Sequence, residues 1–330
     1  MKKLNVALIG AGILGLRRVR LFAKKYKLIA CADTNINKLK KNFNDKKIFL
    51  TNNWKDILNI RNLDAVFIAT YHSIQPKIIE KFGEKNINIF CEKPGGTVHS
   101  EILKLIKKFR KKNIIIKFGY NHRYHPSFIL AKSMLKKNLI GKILYIRAVY
   151  GHGGRKNYHK EWRFKKKLSG GGELIDKGSH LIDLCRFFLG ELILHSSYKR
   201  NFFWNTNLED NCFFTLKNRK KQLCFLHASS TEWKNKFLFE IFCKYGKIEI
   251  SGLGKSYGKE QLFFYKMSRN MGIPKKKVFS FSLKDINNTW KLELDDFYNS
   301  IKKLKKCTPG LEDVYQNLKI INKIYKNDNC

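Results

Sequence analysis

Acidic side chains are scarce in this chain of 330 residues: 26 Asp and Glu stand against 67 Lys and Arg, a net charge of +41. No stretch of about 18 apolar residues lacks Lys, Asn or Asp, so a membrane-spanning helix is excluded. The first apolar run, Val6–Leu16, is rich in Gly and passes straight into Arg17-Arg18, so no secretory signal is expected. The eight cysteines (31, 91, 185, 212, 224, 243, 307 and 330) contain no C-x-x-C pair. Several, such as Cys31 and Cys91, sit inside apolar runs. They read as small buried hydrophobes in a reducing, cytoplasmic setting, with neither a disulfide framework nor a zinc site. No linker rich in Pro or Ser and no internal repeat interrupts the chain. Apolar residues, by contrast, are plentiful. Hydrophobic residues make up 43% and aromatics 13%, recurring in nearly every window, which excludes wholesale disorder. The length suggests two domains.

The basic excess has a telling composition. Thirteen of the 67 are Arg, which leaves 54 Lys. Sequence-specific reading of bases favours Arg, whose planar fork bonds bidentately. Here Lys is spread from Lys2 to Lys326 among many Asn, Ile and Phe. That pattern reads as a generally basic surface, so nucleic acid is not expected as a partner, although such a field would attract it.

The order of elements separates two halves. Leu4–Ile9 is a buried-strand pattern, followed by a glycine-rich turn and a helical pattern through Leu16, Val19, Leu21 and Phe22. Further short apolar strands are expected over Leu28–Ala32, Asp64–Ala69, Ile87–Cys91 and Ile114–Phe118, with a helix over Ser100–Lys111. Repeated alternation of strand and helix implies a doubly wound parallel sheet over 1–120. Beyond it, Pro126–Lys137 is helical, Ile143–Tyr150 is a longer strand, and Gly170–Leu189 is a glycine cluster feeding a helix. Successive strands then run through Cys212–Leu216, Leu223–Ala228, Phe237–Cys243 and Lys247–Ile250, with a hairpin at Tyr245-Gly246-Lys247. Helices over Trp290–Lys305 and Leu311–Tyr325 close the chain. Residues 121–330 are therefore expected to form an α+β domain on a mostly antiparallel sheet with one open face.

Three motifs carry chemistry. Gly10-Ala11-Gly12-Ile13-Leu14-Gly15 fits G-x-G-x-x-G between strand and helix, a cradle for a dinucleotide diphosphate. Asp33, 18 residues after Gly15, ends the second strand. There a carboxylate can bond both ribose hydroxyls of NAD and repel the 2′-phosphate of NADP, although Lys38 and Lys40 temper that preference and NADP stays open. Glu92-Lys93-Pro94 ends a later strand on the same sheet edge. The Lys93 ammonium could hold a substrate oxygen and stabilise charge developing on it, or be one more solvated lysine. The third motif spans 170–183. If it is helical, Asp176 and His180 are i, i+4 on one face, with His180 suited to proton transfer near neutral pH. Gly178 within a helix costs about 1 kcal/mol, which calls for compensation such as the close approach of a ligand or another backbone. The alternative is a helix-start Asp with a core His.

Together the glycine loop, E-K-P at 92–94 and G-G-G-x-L-x-D-x-G-x-H-x-x-D at 170–183 resemble the glucose–fructose oxidoreductase/inositol dehydrogenase (Gfo/Idh/MocA) family. The resemblance covers nearly the whole chain, and N-H-R-Y-H-P at 121–126 is similar to the segment opening that family's second domain. It implies a Rossmann domain, a nicotinamide cofactor, a cyclic polyol, sugar or nucleotide-sugar substrate, and a homodimer or homotetramer. It also implies Lys93, Asp176 and His180 as catalytic groups. Gly10, Gly12, Ile13, Leu14, Gly15, Asp33, Thr70, Glu92 and Lys93 are the expected cofactor contacts. The chain departs from the pattern at Thr70-Tyr71 and Gln75, where the family often has T-P and then a His.

Arg123, Tyr124, His159, Trp162 and Arg163 are candidate substrate contacts, since aromatic faces suit sugar rings and Arg suits carboxylate or phosphate. His122, His125, His152 and His159 lack the companions a metal site needs, so no metal is expected. The expected reaction is hydride transfer between a secondary alcohol carbon and nicotinamide. A catalytically silent cofactor-binding regulator and a basic nucleic-acid-associated protein are the alternatives.

Overall fold

A computed structural model describes residues 3–268 and 270–327; Lys2 and Cys330 lie outside them. The chain divides into two compact units. The first holds the chain up to Tyr120 together with Trp290–Tyr315, and the second holds Asn121–Thr289 and the chain from Gln316 on. Trp290–Tyr315, assigned to the second domain from the sequence, thus groups with the first unit.

The first unit alternates β1 (Leu4–Ile9), α1 (Ile13–Arg20), β2 (Tyr26–Ala32), α2 (Ile36–Asn42), β3 (Phe49–Thr51), β4 (Ala65–Ile68), α3 (Gln75–Glu84), β5 (Asn88–Glu92), α4 (His99–Phe109) and β6 (Ile116–Gly119). All five strand pairings are parallel, in the order β3-β2-β1-β4-β5-β6. The order reverses between β1 and β4, which places a switch point beside the glycine loop. Val6, Leu8, Phe67 and Phe90 are buried to within 1% of complete burial, because both sheet faces are covered. Phe297 and Tyr298 pack on this core, with Phe297 edge-on to Phe67 at 5.8 Å and Tyr298 edge-on to Tyr26 at 5.8 Å. That packing is the physical reason Trp290–Tyr315 belongs here. β3 and α2 carry too little apolar periodicity to be read from sequence; Lys38, Lys40 and Lys41 dominate α2.

The second unit contains α5 (Pro126–Lys136), β7 (Ile143–Gly151), α6 (Lys166–Ser169), α7 (Ser179–Leu189), β8 (Ile193–Arg200), β9 (Asn211–Lys217), β10 (Leu223–Ser229), β11 (Lys236–Cys243), β12 (Gly246–Ser251), β13 (Gln261–Lys266) and β14 (Lys275–Ser280). The chain closes with α8 (Leu283–Lys303) and α9 (Leu311–Lys326). The eight strands run β14-β13-β12-β11-β7-β10-β9-β8. Among the described strands every pairing is antiparallel except β10 with β7, and the expected hairpin forms with Lys244-Tyr245 as its two-residue turn, Gly246 and Lys247 already lying in β12. One face is packed by α5 and α7. The alternate residues of the strands, among them Tyr145, Phe213 and Phe225, are exposed on the other. Among the described residues no helix is long and apolar enough to cross a membrane.

Candidate active site

In the first unit the three motif glycines have different jobs. Gly10 has φ +92°, and a Cβ there would lie 2.5 Å from the Ala69 carbonyl oxygen. A Cβ on Gly15 would lie 2.1 Å from the Gly10 carbonyl oxygen. Both are demanded by the chain's own packing. A Cβ on Gly12 would meet nothing within 4 Å. That open space lies at the N-terminus of α1, where the first-turn N–H groups of Ile13, Leu14 and Gly15 have no intrahelical partners. Room, donors and the positive end of the helix dipole fit a diphosphate.

Asp33 is fixed beside this space. Its Oδ2 accepts from Ala11 N–H at 2.8 Å and its Oδ1 from Asn35 N–H at 3.0 Å. Each carboxylate oxygen keeps a lone pair for a ribose hydroxyl. On the other side of β1, buried Gln75 donates to the Thr70 carbonyl at 3.2 Å and accepts from Gly95 N–H at 3.0 Å. Gln75 therefore ties the loop after β4 to the turn that follows Lys93. This is how the departure from the family pattern is accommodated.

Lys93 directly follows β5 and is half-buried. Glu92, an expected cofactor contact, is 6% exposed and accepts from Arg18 Nε at 2.7 Å. Arg18 also donates to Glu293 at 2.6 Å, and its guanidinium lies 4.1 Å from the Trp290 ring centre. Burial pushes the Glu293 carboxyl up to about 6, against the pull of Arg18. This ion cluster escaped the sequence reading. The available signal was that Arg18 shares the buried face of α1 with Gly15.

In the second unit the glycines of 170–172 have packing reasons. Gly170 ends α6 with φ +84°, a Cβ on Gly171 would lie 1.8 Å from the Tyr325 hydroxyl, and one on Gly172 would lie 2.0 Å from the Glu209 carbonyl oxygen. The Glu209 Oε1 accepts from Gly172 N–H at 3.0 Å, Leu174 N–H at 3.1 Å and the Tyr325 hydroxyl at 2.8 Å. Burial nevertheless pushes its carboxyl up to about 7. Glu209 thus caps the motif from far along the chain.

Asp176 and His180 do not share a regular α-helical face. Leu174–Gly178 is a π turn, and α7 begins only at Ser179. What approaches Gly178 is neither a ligand nor a backbone but side chains: its Cβ would lie 2.9 Å from Leu174 Cδ1 and 3.6 Å from Ala228 Cβ. Asp176 is 2.7 Å from Lys177 Nζ and 3.5 Å from Arg163 Nε. Its carboxylate, held between two cations, can accept a hydroxyl. Burial pulls the Lys177 ammonium down, but Asp176 and Glu173 outweigh it and hold it above its ordinary value. Glu173 accepts from the Tyr158 hydroxyl at 2.7 Å and lies 3.7 Å from His152 Nε2. His152 Nδ1 accepts from Gly154 N–H at 2.8 Å, and burial, helped by Lys177, pushes this imidazole down to about 3, so it stays neutral.

His180 is 6% exposed, and its Nδ1 lies 2.7 Å from Nδ1 of His122. His122 lies nearly parallel to His125, whose Nδ1 is 2.7 Å from Glu260 Oε2. Arg123 is committed to Asp183 through a bidentate pair at 2.7 and 2.6 Å. Of the candidate substrate contacts, Arg163 reaches Asp176 and lies over Trp162 at 5.1 Å. His159 lies nearly parallel to Trp204, 6.3 Å between ring centres, and Tyr124 is half-buried. Sequence reasoning missed Glu173, Lys177 and Glu209; the first two carried a signal, charges set inside an apolar motif.

Two family models match the chain: "Oxidoreductase family, NAD-binding Rossmann fold" over residues 4–120 and "GFO/IDH/MocA C-terminal domain" over 128–249. The levoglucosan dehydrogenase of Pseudarthrobacter phenanthrenivorans is 29% identical over 206 residues, 58% of this chain and 52% of that protein. The inositol 2-dehydrogenase/D-chiro-inositol 3-dehydrogenase of Shouchella clausii is 23% identical over 197 residues, 58% of this chain and 54% of that protein. The matched region spans about half the length of these curated relatives. Among solved structures, a levoglucosan dehydrogenase in complex with NADH and L-sorbose superposes with TM-score 0.87 at 22% identity, covering 98% of this chain and 96% of that one. An NAD binding oxidoreductase from Klebsiella pneumoniae gives TM-score 0.84 at 17% identity, covering 98% and 96%. At such identities the likeness establishes the fold.

Proposed function

Because the chain belongs to the GFO/IDH/MocA oxidoreductase family, we propose that it is an NAD-dependent dehydrogenase acting on a secondary alcohol of a cyclic polyol, sugar or nucleotide-sugar. The observation that carries the reading is the open space over Gly12, at the N-terminus of α1 and beside the fixed carboxylate of Asp33. Asp33 favours NAD over NADP through its ribose contacts and its repulsion of a 2′-phosphate. When bound, the nicotinamide supplies the hydride chemistry. In this reading His180 takes the hydroxyl proton, Lys93 stabilises negative charge on the substrate oxygen, and Asp176 orients the substrate by accepting a hydroxyl. Arg163 and Trp162 line the sugar. The substrate class is supported by the names of the levoglucosan and inositol dehydrogenase relatives. A cytoplasmic setting is supported by seven free cysteines among the described residues. A homodimer or homotetramer formed through the exposed face of the second unit's sheet completes the proposal.

Turnover with levoglucosan, myo-inositol and a panel of sugars tests it, with NADH and NADPH affinities measured by calorimetry. Lys93→Ala and His180→Ala should each lower kcat by about 10²-fold or more. NADH affinity should change little, since it depends on the glycine loop and Asp33. Near-normal turnover in His180→Ala, or tighter binding of NADPH than NADH, would overturn the assignment. NADH binding with no turnover across the panel would leave a cofactor-binding regulator.

A further inference from the structure

His180 and His122 meet through like atoms, Nδ1 to Nδ1 at 2.7 Å. Their residues are only 6% and 5% exposed. A hydrogen bond between two neutral imidazoles needs one N–H and one lone pair. The pair therefore has two arrangements, and they differ in what remains on the far nitrogen of His180. If His180 donates, its Nε2 keeps a lone pair and can take a proton. If His122 donates, Nε2 of His180 already carries a hydrogen and cannot act as a base. We propose that His122 is the positioning residue of His180: its Nδ1 accepts the His180 Nδ1–H and so leaves Nε2 basic. The proposal rests on the reading of His180 as the proton acceptor.

The surroundings hold this pairing in register. His122 lies on the short turn Asn121–Tyr124, and the next residue of that turn, Arg123, grips Asp183 one helical turn beyond His180. The turn and α7 are thus pinned twice, at 122–180 and at 123–183. The His122 ring lies edge-on to Tyr150 at 5.3 Å and nearly parallel to His125 at 5.4 Å, with Phe237 nearly parallel at 6.1 Å. His125 is itself held by Glu260. Tilting the His122 ring out of its plane would break these contacts, and a half-turn of the ring would carry Nδ1 away from His180. The charged and titratable groups around the pair are Asp176 and Lys177 before His180, Arg123 with Asp183 beyond it, His125 with Glu260 behind His122, and Tyr150 with Tyr257 at the side. As the substrate hydroxyl gives its proton to Nε2, His180 becomes an imidazolium whose Nδ1–H still points at a neutral acceptor. A second proton on the pair is opposed, because it would set two cations against each other across the 2.7 Å between the Nδ1 atoms.

Nitrogen-15 NMR of histidine-labelled protein bound to NADH reads the tautomer directly, with the His180 signals identified by their loss in His180→Asn. His180 should appear as the Nδ1–H tautomer in the wild type. His122→Phe keeps the ring and removes the acceptor, and His180 should revert to Nε2–H. His122→Asn offers Oδ1 as acceptor and should retain Nδ1–H. The Nε2–H tautomer in the wild type, or an unchanged tautomer in His122→Phe, overturns the proposal; the wild-type spectrum decides even if His122→Phe fails to fold. With levoglucosan or myo-inositol and NAD, His122→Phe should lose about 10²-fold in kcat/KM, and His122→Asn should recover most of it. The two readings fail separately. Full turnover in His180→Ala removes the base while leaving the tautomer result intact, whereas a wrong tautomer with an inactive His180→Ala removes only the positioning role.

Discussion

Arg18 shows how much one buried charge can hold. Its residue is 1% exposed, with Glu92 and Glu293 as partners and Trp290 beneath its guanidinium. Removing one member of a buried ion cluster leaves its partners uncompensated, at a cost of about 3–5 kcal/mol. Arg18→Leu should therefore lose stability on that scale in urea unfolding, and adding Glu92→Gln and Glu293→Gln should return much of it. At the cofactor end, Asp33→Ala should narrow the difference in affinity between NADH and NADPH, because the repulsion of a 2′-phosphate goes with the carboxylate. Calorimetric titration of both cofactors reads that difference, and an unchanged ratio would remove Asp33 from the ribose site.

Gly12 of the glycine loop and Gly172 of the Glu209-capped turn are the same residue type for opposite reasons, and substitution separates them. Gly12→Ala adds a methyl to open space at a negative φ of −69°. It should fold within about 1 kcal/mol of the wild type, since Ala at an N-cap is only modestly worse than Gly, yet bind NADH much more weakly. Gly172→Ala drives a methyl to 2.0 Å from the Glu209 carbonyl oxygen. It should cost at least the about 1–3 kcal/mol of overpacking. Thermal unfolding beside NADH titration distinguishes the two. The same turn carries a pH dependence. Burial raises the Glu209 carboxyl to about 7 from its ordinary value of 4.5. The folded state then binds the extra proton, so the stability this group contributes is full below about pH 4.5 and is lost as pH rises through 7. Glu209→Gln stays neutral and still accepts from the Gly172 and Leu174 amides. Its melting temperature should rise relative to the wild type between pH 5 and pH 8, and a difference that does not change with pH would count against the shift.

The charge of +41 acts on the whole molecule rather than at any one site. Self-repulsion of that size destabilises a compact state and is screened by salt. Melting temperature should rise from low to physiological salt, and a flat response would mean that local ion pairs such as Arg147–Glu240 already offset the field. The second unit's sheet exposes Phe213 at 42% and Phe225 at 45% on the face away from α5 and α7. If that face forms the proposed homo-oligomer, light scattering should give a dimer or tetramer at micromolar protein, and Phe225→Glu should yield monomers. A monomeric wild type would defeat the proposal.

Residues close in sequence determined a great deal. Continuous apolar runs such as Val66–Ile68 announce buried parallel strands, the spacing of Gly10, Gly12 and Gly15 announces a strand–turn–helix, and the glycine cluster at 170–172 announces a helix after it, though not the π turn at Leu174–Gly178. These are local signals, because strand burial, turn geometry and helix faces repeat over a few residues. What the tertiary structure alone decided lies far apart along the chain. The return of Trp290–Tyr315 to the first unit depends on Phe297 and Tyr298 finding Phe67 and Tyr26. The grip of Glu209 on Gly172 and the meeting of His122 with His180 span 37 and 58 positions. No periodicity encodes such contacts, since each needs the whole fold to bring one buried polar atom to its single partner.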